Sequence, residues 1–326
     1  MPTTYTNAVN VLQMTTSLDA EQLGYVDTAL RGTSIVKAVS TVPPSKFMQD
    51  EYYERVLPGT SQVQTRTINQ DPDSTAINRY KKQQTRTILF ATKAQIDRKE
   101  LEHKPNELDR RINDSLADIG YKADYMFING NPDTAAAGTQ EFFGLKALCT
   151  GTQLLNNGGG TLDIAASLAN FNLFRSLCRK AKRRIKVAPD MQLAWLVNES
   201  VLEAIYAGRD LAGANTLGTS YFDLLNQDLE TLEQIPLVML RGDDIGNEIL
   251  PTTETSSSSS MYLVGLGGAP APESQEIPNG IVGLHEGGIA MTPEVRGNQR
   301  IVTSDWEYGI RVPYRSCARI NLLLGK

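Results

Sequence analysis

The sequence predicts a mixed α+β chain in which long amphipathic helices come before a run of short strands. Apolar residues recur at three- and four-residue steps over residues 104–129 and again from Ile164 to Arg184, which is the helical period. Beyond Pro189, short β-branched and Leu-rich segments alternate with Gly, Pro and Ser clusters, the signature of strands. No solenoid or propeller period is present.

Composition narrows the function classes. Of the 326 residues, 40% are hydrophobic and 21% charged, enough for a core and for solubility. A net charge of -5 argues against a dedicated nucleic-acid binder but not against a protein that only encloses nucleic acid. Residues 1–16 are polar and Thr-rich, so no secretory leader is expected, and the apolar run Leu193–Val197 is too short to span a membrane. Cys149, Cys178 and Cys317 are odd in number and scattered, with no Cys-x-x-Cys pair. That pattern predicts neither a disulfide framework nor a zinc site, and fits a reducing compartment such as a cytoplasm.

Taken in order, residues 1–54 read as an arm, with a short helix near Leu18–Leu30 and a break at Pro43-Pro44. Fifty residues is long for a frayed end, so the arm is expected to cross a neighbouring subunit. Residues 55–92 read as a long β-hairpin. Its strands, Val63–Asn69 and Gln84–Thr92, share one pentapeptide: Gln64-Thr65-Arg66-Thr67-Ile68 is matched by Gln84-Thr85-Arg86-Thr87-Ile88. Asp71-Pro72-Asp73-Ser74 supplies the tip. Polar on both faces, such a ribbon has little to lay on its own domain and is marginal alone. It should project and find support on another copy, with Arg66, Arg79, Lys81, Lys82 and Arg86 as candidate intersubunit contacts.

A long helix follows. Pro105 suits its first turn, Glu107 and Asp109 its N-terminus, and Asn129-Gly130 its stop. Leu108, Ile112, Leu116, Ile119, Ala123 and Met126 form one apolar stripe. After a loop-rich connector, 131–163, a second helix places Ile164, Leu168, Phe171, Phe174, Cys178 and Ala181 on one face. The opposite face carries the basic stripe Arg175, Arg179, Lys182 and Lys186. This stripe has three readings: a surface facing packaged nucleic acid, a simply solvated face, or one paired with acidic groups of a neighbour; the chain's acidity favours the last two. Beyond it, Gln192–Val197 reads as a buried strand, Glu199–Tyr206 and Tyr221–Leu232 as helices, and Pro236–Leu240 as a strand. Ser256–Ser260 reads as an exposed low-complexity loop. Met261–Gly265, Ile281–Leu284, Gly288–Met291, Arg300–Thr303, Tyr308–Val312 and Ala318–Leu324 read as strands.

Signals for chemistry are sparse. The two histidines, His103 and His285, stand apart, and neither a Gly-x-Ser-x-Gly elbow nor a His-Glu-x-x-His motif occurs. Gly265-Leu266-Gly267-Gly268 lacks the spacing of a dinucleotide loop, and Arg241-Gly242-Asp243 is expected by chance. The sequence therefore gives no reason to assign catalytic residues, a metal or a cofactor, and an enzyme is not expected.

The order of parts resembles the major capsid protein of tailed double-stranded DNA phages, the Hong-Kong-type coat fold, which encapsulins share. Asp124-Tyr125-Met126-Phe127-Ile128-Asn129-Gly130, followed by Phe143-Gly144-Leu145, is similar to the family's exit from its long "spine" helix. Trp195-Leu196-Val197-Asn198-Glu199-Ser200 looks like the entry into its axial domain. Asp305-Trp306-Glu307-Tyr308-Gly309-Ile310, running to Asn321, looks like its closing strands. The resemblance implies an N-terminal arm (1–54), an extended loop (55–92), a peripheral domain with the spine helix (93–187), an axial domain (188–295) and C-terminal strands returning to the peripheral domain (296–326). It further implies pentamers and hexamers of many copies closing into an icosahedral shell around double-stranded DNA, assembled in the host cytoplasm. The implied partners are a separate scaffolding protein, a portal and a decoration protein, with no membrane. An encapsulin-like nanocompartment shell is the first alternative, and a soluble enzyme of unknown chemistry the second.

Overall fold

The computed structural model describes residues 35–39, 41–42, 51–55 and 80–84, and residues 87–324 except 137–138, 186, 188–190, 213–216, 223–227, 241, 243–247, 252–253, 255–257, 268–279, 286–288 and 314. A short helix α1 (Ile35–Ala38) and strand β1 (Thr41–Val42) come first, then β2 (Glu51–Arg55), β3 (Tyr80–Gln84) and the long β4 (Thr87–Asp97). Helix α2 (Arg98–His103) leads into the spine helix α3 (Glu107–Asn129), and α4 (Leu145–Leu148), β5 (Leu154–Leu155) and β6 (Leu162–Asp163) follow. Helix α5 (Leu168–Arg184), β7 (Gln192–Val197), α6 (Glu199–Ala212), β8 (Leu217–Phe222), β9 (Asp228–Leu232) and β10 (Ile235–Met239) come next. The chain ends with β11 (Ser258–Leu266), β12 (Val282–His285), β13 (Ala290–Arg296), β14 (Gln299–Arg311) and β15 (Cys317–Leu324).

Two sheets organise these elements. In the first, the order is β1-β12-β14-β13, with β4 running antiparallel along β14 from Thr87–Gly309 to Asp97–Gln299. The second has the order β5-β15-β11-β7-β10-β9-β8, with β6 also on β15. Strands β7 and β10 are parallel, and β11 is antiparallel to β7.

Side-chain alternation sends the second sheet's two faces into two cores. Ala194, Leu196, Tyr262 and Val264 join the spine helix, Ile88, Phe90 and Trp306 in one cluster. Trp195, Val197, Met261 and Leu263 join Phe171, Phe174 and Cys178 of α5, and Val201 and Ile205 of α6, in the other. A strand covered on both faces reads as an unbroken apolar run, which explains Leu193–Val197. Gly208 of α6 lies so close to the Phe171 ring of α5 that a Cβ there would overlap it.

Several expectations are corrected. Residues 221–222 end β8 and 228–232 form β9, where a helix was expected; 223–227 lie outside the described residues. The serines at 258–260 are the first residues of β11, almost fully buried, rather than an exposed loop. Ser259 donates to the Pro251 carbonyl, and Ser260 is hydrogen-bonded with Glu254 and Asn321, so each buried hydroxyl has a partner. Residues 299–311 form one strand, β14, where two were expected, and Val312 lies just beyond it. Leu168, expected on the buried face of α5, is 48% exposed at its first position, where Ser167 caps the helix by accepting from Asn170 N. Pro105 precedes the spine helix, whose N-cap is Asn106. The described residues of the arm pack on their own chain, while 1–34, with the helix expected near Leu18–Leu30, lie outside the described residues. Ile35, Val36 and Val39 are buried in the first core, Val36 N donates to Asp124 Oδ1 at 3.1 Å, and β1 pairs with β12.

Two of the cysteines are bonded, against expectation. Cys149, at the end of α4, is joined to Cys317, which opens β15, with Cα atoms 6.2 Å apart. Their sequence separation of 168 hides the pair from any spacing rule.

Candidate assembly surfaces

At 1.5 Å per residue, the 23 residues of the spine helix span about 34 Å. Leu116, Ile119, Ala123 and Met126 press it onto β4 and β14. At its start, Arg111 ties three elements together: it donates to the Gln95 carbonyl of β4 at 2.6 Å and pairs with Glu100 of α2 and Glu107 of its own helix. At its end, Gly130 has φ -54° and ψ 133°, so glycine is not required there for a left-handed cap. It is required by proximity. A Cβ on Gly130 would press on the Phe142 and Met126 carbonyls, and one on Gly144 would lie 2.5 Å from Met126 O and 2.8 Å from Gly130 N. Gly144 N donates to Gly130 O at 2.7 Å. The Asn-Gly…Gly-Leu motif is thus two glycines stacked backbone to backbone.

Strands β4, β14 and β13 form a three-stranded ribbon. The β13–β14 hairpin turns at Gly297, φ +57°, the first central residue of a two-residue loop, where Gly suits a type II′ turn. Strand β13 is exposed on both faces, with Met291 alone half-buried and Val295 72% exposed. Its free edge carries Pro293, Glu294 and Arg296, which discourage indiscriminate strand addition. On β4 the outer face presents Leu89, 65% exposed, while Ile88, Phe90, Ala94 and Ile96 face the core.

That last point corrects the hairpin. Residues 87–92, expected as its second arm with polar faces, belong to β4 in the main sheet. The expected partner Val63–Asn69 lies outside the described residues. The strand that does pair with this region is β2: Glu51 faces Gln84 and Arg55 faces Tyr80, antiparallel. The base of the loop is therefore 51–55 with 80–84, and the second copy of the pentapeptide is divided between β3 and β4. Lys81 and Lys82 sit on β3 opposite Glu54 and Tyr53. Arg66, Arg79 and Arg86 lie outside the described residues.

The basic stripe on α5 is also divided. Arg175 Nε meets Glu233 Oε1 at 2.9 Å, and Arg179 donates to both Glu233 oxygens at 3.3 Å. Glu233 and Gln234, both at positive φ (51° and 67°), form the β9–β10 turn, so the two arginines clamp a turn of their own chain. Burial alone would raise the Glu233 carboxyl; the arginine hydrogen bonds and charges outweigh it and hold it below the usual range. Lys182 is exposed, and Lys186 lies outside the described residues.

Sequence reasoning missed the role of Asn198. Its Oδ1 caps α6 by accepting from Val201 N at 2.9 Å, and its Nδ2 reaches Leu250 O, Pro251 O and Ser259 Oγ. An Asn just after a buried strand and three residues before a helical Val is the capping signal that was available. Also missed was the buried pair of Arg319 with Glu254 at 2.6 Å, which anchors the 254 region to β15 across 65 residues of sequence.

No family model matches the chain, and no curated protein matches it. Solved structures do. The holo-SrpI encapsulin of Synechococcus elongatus superposes with a TM-score of 0.56 at 11% identity, over 89% of this chain and 86% of its own. The head protein of Helicobacter pylori bacteriophage KHP40 gives 0.50 at 10% identity, over 91% and 90%. The capsid of an empty GTA particle gives 0.50 at 13% identity, over 90% of each chain. The chain has the Hong-Kong-type capsid fold. Helix α5 packs in the second core with Ala318, Ile320 and Leu323 of β15, Cys317 of β15 belongs to the first core with the spine helix, and residues 290–295 join β14.

Proposed function

We propose that this chain is the shell subunit of a tailed-phage-type particle, a major capsid protein whose pentamers and hexamers close into an icosahedral shell around double-stranded DNA. The observation that carries the reading is the β4–β14–β13 ribbon on the Hong-Kong-type fold. One of its strands is exposed on both faces, a costly arrangement for a solitary subunit and a natural one for a protein that completes its packing with other copies. The β2–β3 base and the residues it carries form the second contact, reaching an adjacent subunit. There Arg66, Arg79, Lys81, Lys82 and Arg86 set register more than affinity. A peripheral domain around the spine helix and an axial domain around α6 and β7–β11 meet at different symmetry axes. A separate scaffolding protein, a portal and a decoration protein complete the virion, which forms in the host cytoplasm, and the subunit performs no catalysis.

A second reading is an encapsulin-like nanocompartment, favoured by the higher TM-score to the Synechococcus shell. Both readings require closed particles. Negative-stain microscopy and size-exclusion chromatography of the purified chain should give shells or capsomers; a stable monomer at all concentrations would sink both. Particles isolated from the native source should then hold nuclease-protected DNA. A protein cargo in its place would select the nanocompartment.

A further inference from the structure

Between Asp163 and Asp190 the chain carries seven cations and no carboxylate, in a protein of net charge -5. Arg175 and Arg179 share Glu233. Arg184 donates to the Thr152 carbonyl. Lys180, Lys182 and Arg183, on the last turn of α5, are exposed and make no ion pair among the described residues. A further cation comes from the far end of the chain: Arg315 donates to the Arg184 carbonyl at 2.8 Å and to the Arg183 carbonyl at 3.4 Å. Arg315 does so from a left-handed backbone, φ 64°, which a non-glycine residue adopts at a cost. A helix C-terminus carries about half a negative charge, and one cation satisfies it. The charge gathered here is several times larger.

We propose that the C-terminal turn of α5, through Lys180, Lys182 and Arg183, contacts the phosphates of enclosed nucleic acid and so lines the inner wall of the shell; this rests on the shell reading above. Arg183 lies opposite the buried arc of Phe171, Phe174 and Cys178, and Lys182, at the edge of that arc, is exposed because the helix ends two residues later. Among the described residues the patch's exposed apolar neighbours are Val187 and, two turns back on the helix, Leu173, and it has no exposed aromatic anchor. Interfaces between proteins deplete Lys and rely on buried aromatic and apolar anchors. Phosphate binding needs only accessible cations, and it is independent of base sequence. The overall acidity of the chain is no obstacle, because the patch needs to hold the polymer only loosely.

The test uses the full-length chain dissociated into subunits, and fluorescence anisotropy of a labelled duplex of about 20 base pairs across a salt series. The patch variant is Lys180→Gln, Lys182→Gln and Arg183→Gln together. The control removes three exposed cations from the β4–α2 region, Lys93→Gln, Lys99→Gln and Lys104→Gln. The patch variant should bind about tenfold or more weakly at low salt, with a log–log salt slope shallower by about 2–3, and the control should stay within about twofold of wild type. Equal binding by wild type and patch variant, or equal loss in the control, overturns the proposal. So does a patch variant that keeps duplex affinity but no longer assembles, because the turn is then a protein contact. Closed empty particles of the wild type should ignore added duplex; binding as strong as that of free subunits would place the patch outside and overturn the inner-wall assignment. A wild-type chain that forms no particles refutes the shell reading, and the inner-wall assignment with it. Duplex binding by free subunits would still decide whether the turn contacts phosphate.

Discussion

At the scale of single residues, backbone proximity and one clamped turn carry most of the testable content. A methyl group on Gly144 has nowhere to go, because its neighbours are the Met126 carbonyl and the Gly130 amide rather than a flexible side chain. Gly144→Ala should therefore cost about 3 kcal/mol, at the upper end for overpacking, and lower the urea midpoint of the dissociated subunit without changing the slope. Gly160→Ala is the contrast: its nearest atom, Asn157 O, is 3.6 Å from the added Cβ, so the change should stay within about 0.5 kcal/mol. Equal effects would show that the stacked glycines are not what closes the spine helix. Glu233 gives a pH signature. Folding lowers its carboxyl pKa, so the clamp's contribution is complete above the unfolded value, about 4.3, and fades as pH falls through the lower folded value. Glu233→Gln should destabilise at pH 7 by about 1–2 kcal/mol, and the gap from wild type should close below pH 4. A gap that persists unchanged in acid would mean that the two arginines do not depend on the charge.

Elements were legible in the sequence where one period dominated and illegible where tertiary contacts overrode it. The spine helix, α5 and β7 stand within a few residues of expectation, because an apolar stripe or an unbroken apolar run survives any context. Residues 221–232 were misread because the Leu spacing there suits a helix, whereas the chain pairs β8 with β9 and turns at Glu233 under the hold of two arginines from another element. Ser258–Ser260 depart from expectation because a serine run favours solvent only while its hydroxyls lack partners; in β11 those of Ser259 and Ser260 find Asn198, Glu254, Pro251 and Asn321. The repeated pentapeptide pointed to the right region but the wrong partner, since Ile88 looked like a lone apolar residue until Tyr308 of β14 stood opposite it. Among the site residues, the α5 cations were found, but their division between a turn clamp and a free patch depends on Glu233, 54 residues beyond Arg179. Arg55 and Tyr80 face each other, so residues 56–79 can be replaced by a two-residue Asn-Gly turn without moving either strand. The shortened chain should melt within a few degrees of wild type as a subunit and fail to give stable shells by microscopy. Normal shells from it would remove the extended loop from the assembly argument.

For the whole molecule, two cores share one sheet, and the Cys149–Cys317 bond fastens the strand at one side of that sheet to the exit of the spine helix. Helix α4 follows the stacked glycines, and β15 lies between β11 and the short strands β5 and β6. The bond therefore closes a covalent loop, residues 149–317, that starts 20 residues after the spine helix ends and includes α5, α6 and β5–β14. It also revises the compartment argument, since the odd, scattered cysteines conceal one long-range pair and one free thiol. Cys178 is that free thiol; burial first, and then the Glu233 charge, raises its pKa well above the ordinary value, so in the folded chain it should resist thiol reagents. Titration then has three distinct readings per chain: none in the native state, one after unfolding without reductant, and three after unfolding with reductant. Finding three without reductant would mean that the pair is not bonded in the purified protein. Where the bond is present, a loop of 168 residues predicts that losing it costs about 5 kcal/mol through the freed unfolded chain. The double variant Cys149→Ala, Cys317→Ala should thus unfold at lower urea than wild type, whereas reductant should shift only the wild type. A shift of similar size in both would trace the reductant's effect to something other than this bond.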